Sequence, residues 1–207
     1  MTNRKYIITI LLFFLIGAKC VAQKNKVNDV TAHHLAAVHD WQFHSINQAG
    51  VLVGQAGSAF QMQTINGMQY KSWFTGIGAG LDDYRFRGIP LFIDFRKEFG
   101  SSKNYFFIYA GAGIHFIWLT DKQKKDYSVS NYGVHDFSNG LYFDAGIGYK
   151  VKFNDKIAII ISPGFSHKKT DAKNSDVICP FQGPCYVNSN RFDYNLNRLS
   201  VNAGVEF

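Results

Sequence analysis

Leu141-Tyr142-Phe143-Asp144-Ala145-Gly146-Ile147-Gly148-Tyr149-Lys150-Val151-Lys152-Phe153 divides cleanly in two: Leu141, Phe143, Ala145, Ile147, Tyr149, Val151 and Phe153 fall on one side, Tyr142, Asp144, Gly146, Gly148, Lys150 and Lys152 on the other. Period two is the repeat of an extended strand, whose successive side chains point to opposite faces. Tyr105–Leu119 repeats it, with Phe106, Ile108, Ala110, Ala112, Ile114, Phe116 and Trp118 opposing Tyr109, Gly111, Gly113 and His115. Both runs are longer than the usual globular strand.

Working outward from these two, the same pattern recurs over about 44–54, 57–66, 70–85, 88–99, 104–119, 139–153, 156–168 and 192–207. An even number of long antiparallel strands can close on itself and remove its exposed edges. The fold class expected is therefore all-β, an eight-stranded antiparallel up-and-down barrel.

Connections two, four and six are predicted as tight turns at Asn66-Gly67, Gly100-Ser101-Ser102-Lys103 and Asn154-Asp155, rich in turn formers. Connections five and seven, roughly 120–138 and 169–191, are long; one and three, near Gln55-Ala56-Gly57 and Arg85-Phe86-Arg87, are short. Membrane barrels carry short periplasmic turns and longer outer loops, which sets the even connections in the periplasm and the odd ones outside.

Charge placement decides which face meets lipid. Ile89, Leu91, Ile93 and Phe95 oppose Asp94, Arg96 and Glu98, while Trp73, Ile77 and Leu81 oppose Gly76, Gly78 and Gly80. Opposite charges and glycines suit the cramped lumen of an eight-stranded barrel. A transmembrane barrel is expected, with Asp94, Arg96, Glu98, Asp144, Lys150, Lys152 and Arg198 as an ion-pair network inside. A soluble carrier of a lipophilic ligand, with the two faces reversed, is the alternative. Trp41, Trp73, Trp118 and tyrosines near strand ends read as interfacial girdles.

The chain start points to export. Arg4 and Lys5 precede an apolar run from Tyr6 to Ala18, followed by Cys20-Val21-Ala22 and the polar Gln23-Lys24-Asn25-Lys26. This pattern predicts a signal peptide over 1–22, a periplasmic leader over 23–43 and the barrel over 44–207. Lipidation at Cys20 is the weaker alternative, because Lys19 stands where a small residue is required.

Of 207 residues 22 are Lys or Arg and 15 Asp or Glu; cleavage before Gln23 removes Arg4, Lys5 and Lys19 and leaves a modest, scattered positive charge. The densest run, Lys122–Lys125, falls in a predicted loop, so a nucleic-acid footprint is excluded. With 46% hydrophobic residues the chain is also outside the composition of disordered segments.

After cleavage two cysteines remain, Cys179 and Cys185, with Pro180, Gly183 and Pro184 between them. An exported chain with an even pair across a turn predicts a disulfide.

Three further motifs are weighed against simpler readings. Gly76-x-Gly78-x-Gly80 lacks the third spacing and the helix of a dinucleotide loop, and the same alternation at 111/113 and 146/148 instead lets bulky neighbours lie across the lumen. His33, His34, His39 and His44 cluster without carboxylates or cysteines at tight spacing, so neither a metal nor a cofactor is expected. Ser166, His167 and Asp171 suggest a lipid-modifying enzyme, yet adjacent strand residues point to opposite faces, which separates Ser166 from His167.

Five segments carry a family likeness: Gly57-Ser-Ala-Phe-Gln-Met-Gln-Thr-Ile-Asn-Gly67, Gly78-x-Gly80-Leu-Asp-x-Tyr84-x-Phe-Arg87, Ile89-Pro-Leu-Phe-Ile-Asp94, Asp144-Ala-Gly-Ile-Gly-Tyr149 and Leu196-Asn-Arg-Leu-Ser-Val-x-Ala-Gly204. Over residues 45–207 the chain resembles the outer-membrane β-barrel family of Bacteroidetes, which includes PorT-like proteins. The resemblance implies the fold and the cell outer membrane, and it implies no catalytic set. PorT is associated with protein secretion and gliding machinery.

The expected function is non-enzymatic, a structural or interaction role in the cell envelope that extends to assisting secretion. Expected partners are outer-membrane lipid, the barrel-assembly machinery through the terminal Phe207, and an envelope protein.

Overall fold

The computed structural model describes residues 41–101, 103–123, 134–154, 156–181 and 183–207. The signal peptide, Cys20 and the leader as far as residue 40, with His33, His34 and His39, lie outside the described residues. Nine strands follow in order: β1 (Trp41–Gly54), β2 (Gly57–Tyr70), β3 (Trp73–Asp82), β4 (Gly88–Ser101), β5 (Asn104–Ile117), β6 (Val134–Ser138), β7 (Gly140–Lys152), β8 (Ala158–Ile178) and β9 (Tyr186–Glu206). The first barrel strand thus starts three residues before the expected boundary at 44.

Eight of these strands pair antiparallel in a closed ring, β1-β2-β3-β4-β5-β7-β8-β9, and β9 returns to β1 from Ile46↔Glu206 to Gly54↔Arg198. The ninth, β6, pairs with β8 alone among the described residues, at Val134↔Ser175 to Ser138↔Asp171. Closure leaves the barrel wall no free edge within its height. Among the described residues no helix is long and apolar enough to cross a membrane; the crossing elements are strands.

Alternation in sequence becomes inside and outside in space. Ile77, Ile93, Ile108, Ile147, Leu199 and Val201 point outward and stay exposed, while Asp94, Arg96, Glu98, Asp144, Lys150 and Arg198 are buried within. This polarity is opposite to that of a soluble lipophilic carrier. Aromatic rings band the outer surface at both heights: Trp41, Tyr70, Trp73, Phe99, Phe106 and Phe207 near the termini, and Phe60, Phe116, Trp118, Phe143 and Phe165 near the opposite rim. Apolar wall, aromatic bands and charged interior together are the surface of a transmembrane barrel.

The connections differ from expectation in four places. The second turn is at Lys71-Ser72, where Lys71 takes φ 54°, and Asn66-Gly67 lies inside β2. Gly67 faces Gly76 of β3, and a Cβ there would strike the Phe74 ring and the backbone of Thr75; an Asn-Gly pair that reads as a turn serves instead as a close crossing of two strands. The predicted strand 70–85 ends at Asp82, because residues 83–87 fold back over the lumen and bury Tyr84 and Phe86. The expected loop 169–191 is mostly strand: β8 and β9 pair one-for-one from Ala158↔Glu206 up to Ile178↔Tyr186, and β6, inside the expected loop 120–138, adds to β8.

Glycines accommodate rings as alternation predicts. Phe92 of β4 lies across Gly78 of β3 and Gly111 of β5, Phe107 across Gly148, and Tyr109 reaches Gly164.

Candidate functional site

The lumen is filled at three levels. Nearest the termini, Lys150 of β7 pairs with Glu98 of β4 and, at 2.9 Å, with Glu206 of β9, and His44 Nδ1 lies 3.0 Å from Glu206. Gln69 donates to Glu98 at 3.0 Å. Below this layer a cavity of about 340 Å³ opens at the barrel end, lined by Gln42, Gln69, Lys71, Glu98, Tyr105 and Lys152 among others. Lys152 thus stands at the mouth, its ammonium 4.7 Å from the Tyr105 ring centre, rather than in the ion-pair network.

The middle layer holds Asp94 and Arg96, two residues apart on β4, with Nε 2.7 Å from the carboxylate. The guanidinium lies over the rings of Phe107 and Tyr109, at 5.4 and 5.5 Å, so the charge is held by π faces as well as by its carboxylate. Beside it a hydrogen-bond relay crosses the bore: Gln48 donates to Gln63 (2.6 Å), Gln63 to the Tyr142 hydroxyl (2.8 Å), and Tyr142 to Asp144 (3.3 Å).

At the far end Asp82 of β3 accepts from Arg198 of β9 and lies 3.2 Å from Lys168 of β8. Arg198 also donates to Ser166, and Lys168 donates to the Phe86 carbonyl at 2.7 Å. The Phe86 ring packs against Phe137 (5.3 Å) and Tyr194 (4.9 Å), which seats the 83–87 segment as a stopper over this layer.

The predicted network is therefore three clusters. Arg96 belongs with Asp94, Lys150 with Glu98, and Arg198 with Asp82, while Asp144 is reached by Tyr142. The predicted network omits Asp82, Lys168 and Glu206, although Asp82 shares the parity of Gly76, Gly78 and Gly80, which are expected to face the lumen. Tyr84 and Phe86 keep the same parity, and burial alternates unbroken from Asp82 to Phe86, so period two also directs these two rings inward although the strand itself has ended.

Ser166 and His167 face opposite sides. Ser166 is buried under Arg198, whereas His167 Nδ1 sits 2.6 Å from the Asn197 amide oxygen and Asp171 pairs with Arg191 at 2.5 Å. The three are not brought together.

Beyond the stopper, β8 and β9 continue as a hairpin whose tip is closed by the Cys179–Cys185 disulfide, Cα atoms 4.1 Å apart. Phe181 at the tip is fully exposed. On the flank of the hairpin, hydrogen bonding with Asp193 and Arg191 holds the Asp171 carboxyl below its ordinary range. A second cavity, about 430 Å³, lies at its foot between Gln55, Ala56, Tyr84, Arg85 and the β9 stretch Asp193–Asn197. Arg85 closes one side, with its guanidinium 5.2 Å from the Tyr194 ring centre. Phe207, at the other end of the molecule, exchanges both backbone hydrogen bonds with Ser45 (2.9 and 3.0 Å) and exposes its ring outward.

A closed eight-stranded barrel with an apolar, aromatic-banded exterior and an ion-paired core is a membrane barrel of the outer-membrane kind. No family model matches the chain. No curated protein matches it either. Among solved structures it is similar to the outer membrane protein OprG from Pseudomonas aeruginosa (11% identity, 80% of this chain and 95% of that one, TM-score 0.46). It is similar also to Neisserial surface protein A (11%, 81% and 96%, 0.45) and to the outer membrane protein AlkL in DMPC bilayers (12%, 89% and 96%, 0.45). At such identities and scores the likeness adds nothing to what the register and the two faces establish.

Proposed function

We propose that this chain is a non-enzymatic interaction protein of the outer membrane, which holds a disulfide-closed β-hairpin clear of the bilayer for a partner. One observation carries the reading: β9 runs twelve residues, Tyr186–Asn197, past its last pairing with β1, which is about 40 Å of strand at the usual rise. A barrel that only needed to span the bilayer would not require that length. The filled bore supports an anchor rather than a conduit, and the separation of Ser166, His167 and Asp171 supports a role without catalysis. Phe207 at the end of β9 is read as the signal for the barrel-assembly machinery. The resemblance to PorT-like proteins makes secretion machinery the first place to look for the partner.

The test is trypsin on intact cells. Cleavage at Lys169, Lys173 or Arg191 with the barrel otherwise whole is the expected outcome; cleavage at Lys71 or Lys103 instead would invert the orientation and overturn the proposal. Unchanged membrane lipid profiles on Ser166→Ala and His167→Ala complete it, and an altered profile would restore the enzyme reading.

A further inference from the structure

Among the described residues, the hairpin has one side along which no strand pairs. Phe207 gives its N–H to Ser45 and accepts from it, so this odd-numbered residue directs both backbone groups toward β1. Direction alternates along an antiparallel strand, and β9 keeps one-for-one register with β8 throughout, without a bulge. Val187, Ser189, Arg191, Asp193 and Asn195 consequently present N–H and C=O toward the β1 side, where β1 has already ended at Gly54. Even-numbered residues bond to β8.

Proteins protect such edges with Lys, Pro, bulges or a covering segment. Tyr186–Asn197 contains no Lys, Pro or Gly, and its only charges, Arg191 and Asp193, lie 3.4 Å from each other. The opposite flank of the same sheet is treated differently, since β6 covers β8 over Asp171–Ser175. At the foot of the edge, just past the end of β1, the 430 Å³ cavity is lined by Gln55 and Ala56 on one side and Asp193–Asn197 on the other. It gives an added strand a seat.

We propose that this edge is a strand-docking site that takes an extended, uncharged polar peptide segment of a partner protein, laid antiparallel to β9 beside Ser189–Asn195. Main-chain hydrogen bonds supply the recognition, as in other additions of a strand to a sheet edge. The flanking side chains Asn188, Ser189, Asn190, Asn195 and Asn197 offer amides and a hydroxyl, and Arg191 is already neutralised by Asp171 and Asp193, so neutral Ser, Thr and Asn match it better than Lys or Glu. The inference rests on the reading of the hairpin as the partner-binding part.

The experiment uses the full chain in lipid nanodiscs and a synthetic octapeptide alternating Thr with Asn and Val, read by amide hydrogen exchange. Saturating peptide is expected to slow exchange at Ser189, Arg191, Asp193 and Asn195 at least about tenfold while leaving Asn188, Asn190 and Phe192 nearly unchanged. The double variant Ser189→Pro, Asn195→Pro removes two edge donors without touching the β8 ladder, and is expected to weaken peptide binding about tenfold or more with the folded gel band intact.

Odd-numbered amides already as protected as their even neighbours, no change on adding peptide, or undiminished binding by the proline variant would each overturn the proposal. Protection that rises with protein concentration alone would make a second copy the occupant and overturn it too. Hairpin cleavage on intact cells without peptide protection sinks the docking edge alone. Protection by peptide without cleavage from outside supports the edge and sinks the orientation.

Discussion

Replacing Lys150 by Met tests whether the interior is held by charge pairing or merely filled. Lys150 is 1% exposed and sits between Glu98 and Glu206, themselves 8% and 7% exposed. Methionine preserves most of the volume, so a cavity contributes little and the cost isolates the two carboxylates left facing each other. Breaking a buried pair by removing one partner costs about 3–5 kcal/mol. Glu98 also lines the cavity at the barrel end, where solvent reaches it, so the low end of that range, about 3 kcal/mol, is expected. The assay is denaturant unfolding of the barrel in phospholipid vesicles, with the unboiled gel band as the measure of folded protein. Adding Glu98→Gln and Glu206→Gln to the Met variant should restore more than half of the loss, because neutral amides no longer repel. A loss below about 1 kcal/mol, or no recovery in the triple variant, would refute the claim that these charges hold the end layer together.

Three more outcomes follow from the same geometry. Ile77→Lys, at the middle of β3 on the outer wall, should cost about 2–4 kcal/mol in bilayers, measured by the same titration, whereas on a water-facing surface it would cost almost nothing. Gly78→Val places a Cβ against the Phe92 ring and should cost about 1–3 kcal/mol through overpacking, while the same change at Gly183 in the exposed tip should leave barrel unfolding unmoved. Cys179→Ser with Cys185→Ser removes a short-loop crosslink worth about 2 kcal/mol in the chain-entropy account; because the crosslink closes only the tip, protease nicking between Lys173 and Arg191 should accelerate with no change in the barrel's gel shift.

The barrel was legible because lipid outside and charge inside impose a period of two that survives along every wall strand. Leu141–Phe153 and Leu199–Phe207 carry it almost without exception. Asn66-Gly67 misled because a glycine chosen for close strand approach has the same composition as one chosen for a turn. Tyr84 and Phe86 share the inward parity of Gly76, Gly78 and Gly80, but period gives only a direction and not that the chain leaves the sheet after Asp82 and packs the Phe86 ring between Phe137 and Tyr194. The ion-pair partners were harder again. Parity identifies which residues enter the lumen, but whether Arg198 meets Asp82 or Asp144 depends on register around the ring. The outer hairpin reads as a loop because over Tyr186–Asp193 every side chain of β9 is exposed and no face demands apolar residues.

The unbroken register of β8 with β9 has a mechanical consequence. A pull on the disulfide-closed tip, directed away from the membrane, runs along both strands at once and arrives at the wall parallel to its ladders. The seam between β9 and β1, nine residue pairs from Ile46 to Gly54, is then loaded in shear, with all its rungs sharing the force rather than opening one after another. A partner that tugs on the hairpin strains the molecule in its most resistant direction.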